Sequence, residues 1–190
     1  MLQLVEAYTR AKPGNVLAAY LPALPAVNGS DSHAGLDPNF PRDWRAAVTD
    51  TLFRAAQEAE RDSVYFNPSV RDGKSHQVRA LGQFAYYDAA LMHGYAGMRA
   101  IRNRALARAK PPAQGGDERA WLYAFLDERV IEMRKEAAHS DTSRVDTAQR
   151  GFLNNGNFDL ITPLAFAVLA TNRVWSCRSR FSFLQIGPQR

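Results

Sequence analysis

The chain has 190 residues, 46% of them hydrophobic and 23% charged, which suffices for one well-buried core and gives no ground for a second. No apolar run approaches the ~18 residues of a membrane span, Met1-Leu2-Gln3-Leu4-Val5-Glu6 lacks the basic start and long apolar centre of a secretory signal, and a single cysteine, Cys177, rules out an internal disulfide. The formal charge of +5 would suit a polyanion, yet from Leu160 to the end there are four arginines and no acid, which leaves +1 for the other 159 residues; no nucleic-acid or membrane partner is expected.

Apolar residues at Leu2, Val5 and Tyr8 or Thr9 predict a helix over Met1 to Lys12, ended by Pro13-Gly14-Asn15. A short helix around Val16 to Leu21 is stopped by Pro22 and Pro25, Asn28-Gly29 is a turn signal, and Ser30 to Phe40 reads as loop. Pro41 suits the first position of a long helix whose buried face is Trp44, Val48, Leu52, Phe53 and Ala56. That helix fades near Ser63, and Asn67-Pro68 starts another. Ser75 to His93 is the strongest core helix, with Val78, Leu81, Phe84, Ala85, Leu91 and Met92 on one arc, and Gly94 and Gly97 bracket the break after it. A basic helix runs from Met98 to Lys110. Gly115-Gly116 then frees the backbone for Asp117 to cap a helix reaching about Ala138, and Ser143 with Asp146 looks like a capping box for a last helix ending at Asn154-Asn155-Gly156. Period-two alternation is almost absent, so the expected class is mainly α, with any apolar continuation after Ala165 helical.

Two charges lie where apolar residues belong. Asp88 falls on the core face of its helix, and Arg129 lies within the arc of Leu122, Phe125, Leu126 and Met133. Burying either alone would cost several kcal/mol, so the two helices are expected to meet and the charges to pair, with Arg144 completing a mostly buried cluster. A tightly paired carboxylate is a poor proton donor at neutral pH, which favours a structural role over a catalytic one. Glu136 continues the Arg129 and Met133 stripe to the end of its helix, and His139 and Asp141 follow. This stretch reads either as a solvated helix terminus or as a ligand-contacting loop. Glu, His and Asp can coordinate a metal, but no cysteine or paired-histidine spacing accompanies them, so no metal and no cofactor is expected. His93 reads as a group at a helix C-terminus, where a donor favours the last carbonyls. Trp44 and Tyr86-Tyr87 could stack on sugar faces, though aromatics at helical spacing are more often core.

Three stretches, Arg79-Ala80-Leu81-Gly82-Gln83-Phe84-Ala85-Tyr86-Tyr87-Asp88-Ala89, Pro112-Ala113-Gln114-Gly115-Gly116-Asp117-Glu118 and Glu136 through Thr147, together with Pro13-Gly14-Asn15 and Val27-Asn28-Gly29-Ser30, resemble the chitosanases of glycoside hydrolase family 46. The resemblance runs from about Leu2 to Leu164. It implies a lysozyme-like, two-lobed helical fold with a substrate cleft, cutting chitosan inside the chain with inversion and extracellularly; a monomer is expected. It also implies that Asp88, Arg129 and Arg144 form an ion cluster behind the cleft, that Glu136 receives a glucosamine ammonium, and that His93 and Trp44 line or support the cleft; His139 and Asp141, on the loop after Glu136, are expected to join Glu136 and His93 in binding substrate. Ser140 stands where the family usually has an acid.

Inverting hydrolysis needs a protonated acid and a water-activating carboxylate about 6.5 to 9.5 Å apart. The resemblance assigns both to a segment ahead of Leu2, so no catalytic residue is assigned here, and the chain is expected to be a partial version lacking an N-terminal segment. The expected division is a chitosanase-like body over 1–164 and a divergent basic tail over 165–190, the tail loosely attached and reached through a changed reading frame near residue 165.

Overall fold

The computed structural model describes residues 1–135, 137, 140–168 and 173–177, with backbone alone for 165–168 and 173–177. It is mainly α-helical and divides into two compact units, 1–64 and 65–190. No described helix is long and apolar enough to cross a membrane.

In the first unit α1 (Leu2–Ala11) buries Leu4, Val5 and Tyr8, and Lys12 ends it by donating its amide to the Tyr8 carbonyl. A single 3-10 turn (Ala18–Tyr20) and the four-residue α2 (Leu24–Val27) follow. Pro25 sits in the first turn of α2 instead of stopping a helix, a place where its missing N–H costs nothing. The long helix expected from Pro41 is two helices, α3 (Phe40–Ala47) and α4 (Thr51–Arg61). Asp50 makes the break: its backbone is extended, and its carboxylate caps α4 by accepting from the Leu52 amide at 2.9 Å. The break changes the helical phase, so Phe53 is fully buried while Val48 and Leu52, expected on the buried face, are exposed. Tyr8, Phe40, Trp44 and Phe53 meet edge-on or tilted at centroid separations of 4.9 to 5.6 Å with Tyr20, the offset geometry ring quadrupoles favour.

The second unit is built on α5 (Asn67–Ser75), α6 (Ala80–Leu106) and α7 (Glu118–Met133). The break expected at Gly94 is present: its φ of 71° and ψ of 162° are non-helical and suit only glycine, so α6 is two helical stretches meeting at a kink there. Leu81, Ala85, Tyr86, Ala89, Trp121, Leu122, Phe125 and Leu126 are buried together in the core. Each such large apolar side chain contributes about 1.5–3 kcal/mol. Leu91 is a misplacement by the sequence arc, since it is 47% exposed. Asp117 caps α7 through the Ala120 amide at 2.8 Å, and a Cβ on Gly116 would fall 1.8 Å from the Lys110 carbonyl oxygen, so no side chain fits there.

After α7 the backbone takes a π-helical turn (Arg144–Gln149) before α8 (Arg150–Asn154). The capping box expected here does not form. Ser143 makes no side-chain cap, and Asp146 is engaged instead by Thr142 Oγ1 at 2.6 Å and Arg150 Nε at 3.1 Å. Beyond it, β1 (Leu164–Val168) and β2 (Arg173–Cys177) pair antiparallel, with Leu164 opposite Cys177 and Phe166 opposite Trp175. This hairpin replaces the expected helical continuation. Valines and aromatics suit strands, and a pattern of five residues a side is too short to stand out in the sequence. The rest of the expected mobile tail, 169–172 and 178–190, lies outside the described residues.

Candidate functional site

The three charged residues singled out from the sequence come together in the second unit. Asp88 projects from α6, Arg129 from α7 and Arg144 from the π-helical turn. Arg129 Nη2 lies 2.7 Å from Asp88 Oδ2, and Arg144 Nη1 lies 3.2 Å from Asp88 Oδ1. Gln149, which sequence reasoning did not single out, completes the arrangement from both sides. Its Nε2 donates to Asp88 Oδ2 at 2.8 Å, and its Oε1 accepts from Arg129 Nη1 at 3.2 Å. Being uncharged, it carried no signal except a polar side chain on a buried face.

The cluster is graded in exposure. The Arg129 side chain is fully buried, that of Asp88 is 15% exposed and that of Arg144 is 45% exposed, so the expectation of a mostly buried triad fails at Arg144. Burial pushes the Arg129 guanidinium below its ordinary value and the Asp88 carboxylate pulls it back up. A guanidinium begins so far above neutrality that it stays charged. With both Asp88 oxygens taken by three donors, the carboxylate is occupied in joining three elements rather than open to an incoming group.

The same turn is held from its other side. Arg150 Nη2 reaches Asp127 Oδ1 of α7 at 2.6 Å while its Nε holds Asp146. Arg108, just past the end of α6, grips the other Asp127 oxygen at 2.8 Å and Glu128 at 3.2 Å, and Arg104 of α6 bonds Glu128 and Glu132 at 3.1 and 2.6 Å. Burial would raise Asp127, but Arg150 and Arg108 outweigh it and hold the carboxyl below its ordinary range. The end of α7 and the start of the π-helical turn are therefore tied by charge-assisted bonds on either side of the connecting segment.

On that segment Asp141 is exposed, with Oδ1 accepting from the Ser143 amide at 2.9 Å, a bond that favours its charged form. The exposed Ser140 donates Oγ to the Ala137 carbonyl at 2.8 Å. Glu136 and His139 lie outside the described residues. His93 is half-buried and is the last residue before the non-helical Gly94, at the end of the first helical stretch of α6 as expected. Among the described residues no group of three or more His, Cys, Asp or Glu side chains is placed to hold a metal ion.

A buried polar relay was not legible in the sequence. Trp121 Nε1 donates to the Tyr86 hydroxyl oxygen at 2.9 Å, and that hydroxyl is 2.8 Å from His76 Nδ1. Burial raises the Tyr86 phenol well above its ordinary value. Tyr86 is thus core and no sugar platform. In the first unit, Trp44 with Phe40, Pro41, Arg45 and Met1 lines a pocket of about 330 Å³.

Residues 1–164 match the profile of glycosyl hydrolase family 46. The chain is 56% identical over 168 residues to a chitosanase of Streptomyces sp. (strain N174), covering 86% of this chain and 60% of that protein. It is 31% identical to a chitosanase of Bacillus subtilis (strain 168), covering 86% and 64%. The fold superposes on the family 46 chitosanase of Gynuella sunshinyii in complex with chitotetraose with a TM-score of 0.84 at 31% identity, over 95% of this chain and 79% of that one. The chain thus spans about 60% of the length of the Streptomyces relative.

Proposed function

Because this chain belongs to glycosyl hydrolase family 46, we propose that it is the greater part of a chitosanase, an enzyme that hydrolyses β-1,4 linkages between glucosamine units inside chitosan chains with inversion. The observation that carries this is the family match over residues 1–164 together with 56% identity to a chitosanase. The substrate is a polycation, and the acids of the segment after α7, Glu136 and Asp141, are the groups suited to its ammonium ions. His139 and His93 complete the substrate-facing set; Trp44, in the first unit, lines a pocket of about 330 Å³. Asp88, Arg129 and Arg144 serve these residues by fixing α6, α7 and the π-helical turn in one register. No cofactor takes part. The whole protein acts outside the cell, since a polymer cannot enter it, and acts as a monomer.

Inversion needs a proton given to the glycosidic oxygen and a water activated on the opposite face of the ring. The resemblance finds no counterpart for either carboxylate among these 190 residues, so on this reading the chain itself holds substrate without cutting it. The alternative reading is a noncatalytic protein that binds chitosan weakly. A chimera carrying the segment of the Streptomyces relative that precedes the matched region, joined ahead of Met1, separates them. The chimera should release reducing ends from chitosan and lower its viscosity, while the 190-residue chain does neither. An inactive, folded chimera would favour the noncatalytic reading, and hydrolysis by the 190-residue chain would overturn the division of labour.

A further inference from the structure

Asp141 is an exposed carboxylate on a connecting segment, and its own bond to the Ser143 amide fixes only a local turn. Such a group meets an ammonium ion strongly only if the backbone beneath it is held still, because ordering it on binding would cost free energy. The holding elements are on the next turn. Thr142, adjacent to Asp141, donates Oγ1 to Asp146 Oδ2 at 2.6 Å. Arg150 takes the other oxygen of Asp146 with Nε at 3.1 Å and reaches back to Asp127 on α7 with Nη2 at 2.6 Å.

Arg150 therefore uses two edges of one rigid planar group to bridge two carboxylates, which the point charge of a lysine cannot reproduce. Its side chain is only 20% exposed, and Asp127 is braced from behind by Arg108 at 2.8 Å. The bridge falls across a π-helical turn, a rare geometry that recurs where backbone is committed to a function. If Arg150 merely stapled α8 to α7, the bond to Asp127 would suffice; the second bond runs toward the chain that bears Asp141.

We propose that Arg150 is a positioning residue for Asp141, anchoring the return of the 140–146 segment to α7 through Asp127 so that the Asp141 carboxylate is already in place when a glucosamine ammonium arrives. This rests on the reading under which Asp141 meets substrate.

The test compares the 190-residue chain with Arg150→Gln, Arg150→Lys, Asp141→Asn and the double variant Asp141→Asn/Arg150→Gln. Two readouts are taken: affinity for the glucosamine hexamer by calorimetry, and amide hydrogen exchange at Ser143, Val145 and Asp146. Arg150→Gln should speed exchange at those amides and weaken the hexamer about fivefold, the lower end of typical coupling between linked sites. Arg150→Lys should fall between, and in the Asp141→Asn background Arg150→Gln should weaken binding no further. Asp146→Asn, which cuts the same bridge at a half-exposed carboxylate, should repeat the result should Arg150→Gln fail to fold. Unchanged exchange, or wild-type affinity in Arg150→Gln while Asp141→Asn binds more weakly, overturns the positioning role and leaves the reading of Asp141 intact. Wild-type affinity in Asp141→Asn, or no hexamer binding by the unmodified chain, overturns that reading and the inference with it.

Discussion

Replacing Asp88 by alanine removes the shared acceptor of a cluster that three elements depend on. In the intact protein it accepts from Arg129 Nη2 at 2.7 Å, Gln149 Nε2 at 2.8 Å and Arg144 Nη1 at 3.2 Å. Among the described residues, the variant leaves Arg129, a cation with no exposed side-chain surface, bonded to the neutral Gln149 Oε1 at 3.2 Å and Met92 Sδ at 4.0 Å. Removing one partner of a buried pair costs about 3–5 kcal/mol. The 15% exposure of Asp88 lets water replace part of what is lost, so the lower part of that range, about 3–4 kcal/mol, is expected. Arg144 is 45% exposed, and Arg144→Ala should cost no more than about 1 kcal/mol. The two are compared by urea unfolding followed by far-ultraviolet circular dichroism, and by thermal melts in which a loss of 3 kcal/mol lowers Tm by roughly 6–12 °C for a chain of this size. An Asp88→Ala variant within about 1 kcal/mol of wild type, or no less stable than Arg144→Ala, would refute the claim that the cluster carries an uncompensated charge when broken.

Two pH dependences follow from the same geometry. Lys12, Tyr8 and the Leu52 amide hold Asp50 at a pKa of about 2, below its ordinary 3.8, so its stabilising effect is complete above pH 4 or so and is lost as pH falls toward 2. Asp50→Asn, which keeps the cap, should flatten the acid limb of an unfolding-versus-pH curve, and an unchanged limb would show that Asp50 contributes nothing to it. His76 is depressed below its ordinary 6.5 by burial and then by Arg102, so the unfolded chain takes up the proton first and stability is lost as pH falls below about 6.5. The His76 ring should titrate below 6.5 by nuclear magnetic resonance; a midpoint at or above that value would mean that the relay to Tyr86 is open to water.

The features legible in the sequence are those in which one residue breaks a strong local rule. A charge at position 129 inside an apolar arc announces a partner, and Asp117 after two glycines announces a cap, because each conflicts with the pattern around it. Gln149 breaks no rule and so was missed, although it bonds two members of the cluster. The break at Asp50 was missed because Trp44 and Phe53 fit one periodic arc well enough to conceal the cap between them. Leu91 was misplaced for a related reason, since periodicity places a residue on an arc without saying how wide the covering neighbour is. The π-helical turn defeats such reading altogether. Its spacing follows neither of the regular periods, and the apparent capping pair at Ser143 and Asp146 is redirected to Thr142 and Arg150 by contacts arriving from α7. The relay of His76, Tyr86 and Trp121 is likewise tertiary, joining α6, α7 and the end of α5.

The central claim, that these 190 residues recognise the amino groups of chitosan, is tested most directly by titrating the chain with glucosamine hexamer and, separately, with its fully N-acetylated counterpart. The account predicts saturable binding of the amine form, weakened by salt because carboxylate and ammonium attract through a screened field, and much weaker binding of the acetylated form. Equal affinity for the two hexamers, or no binding of the amine form by a chain that unfolds cooperatively, would contradict it.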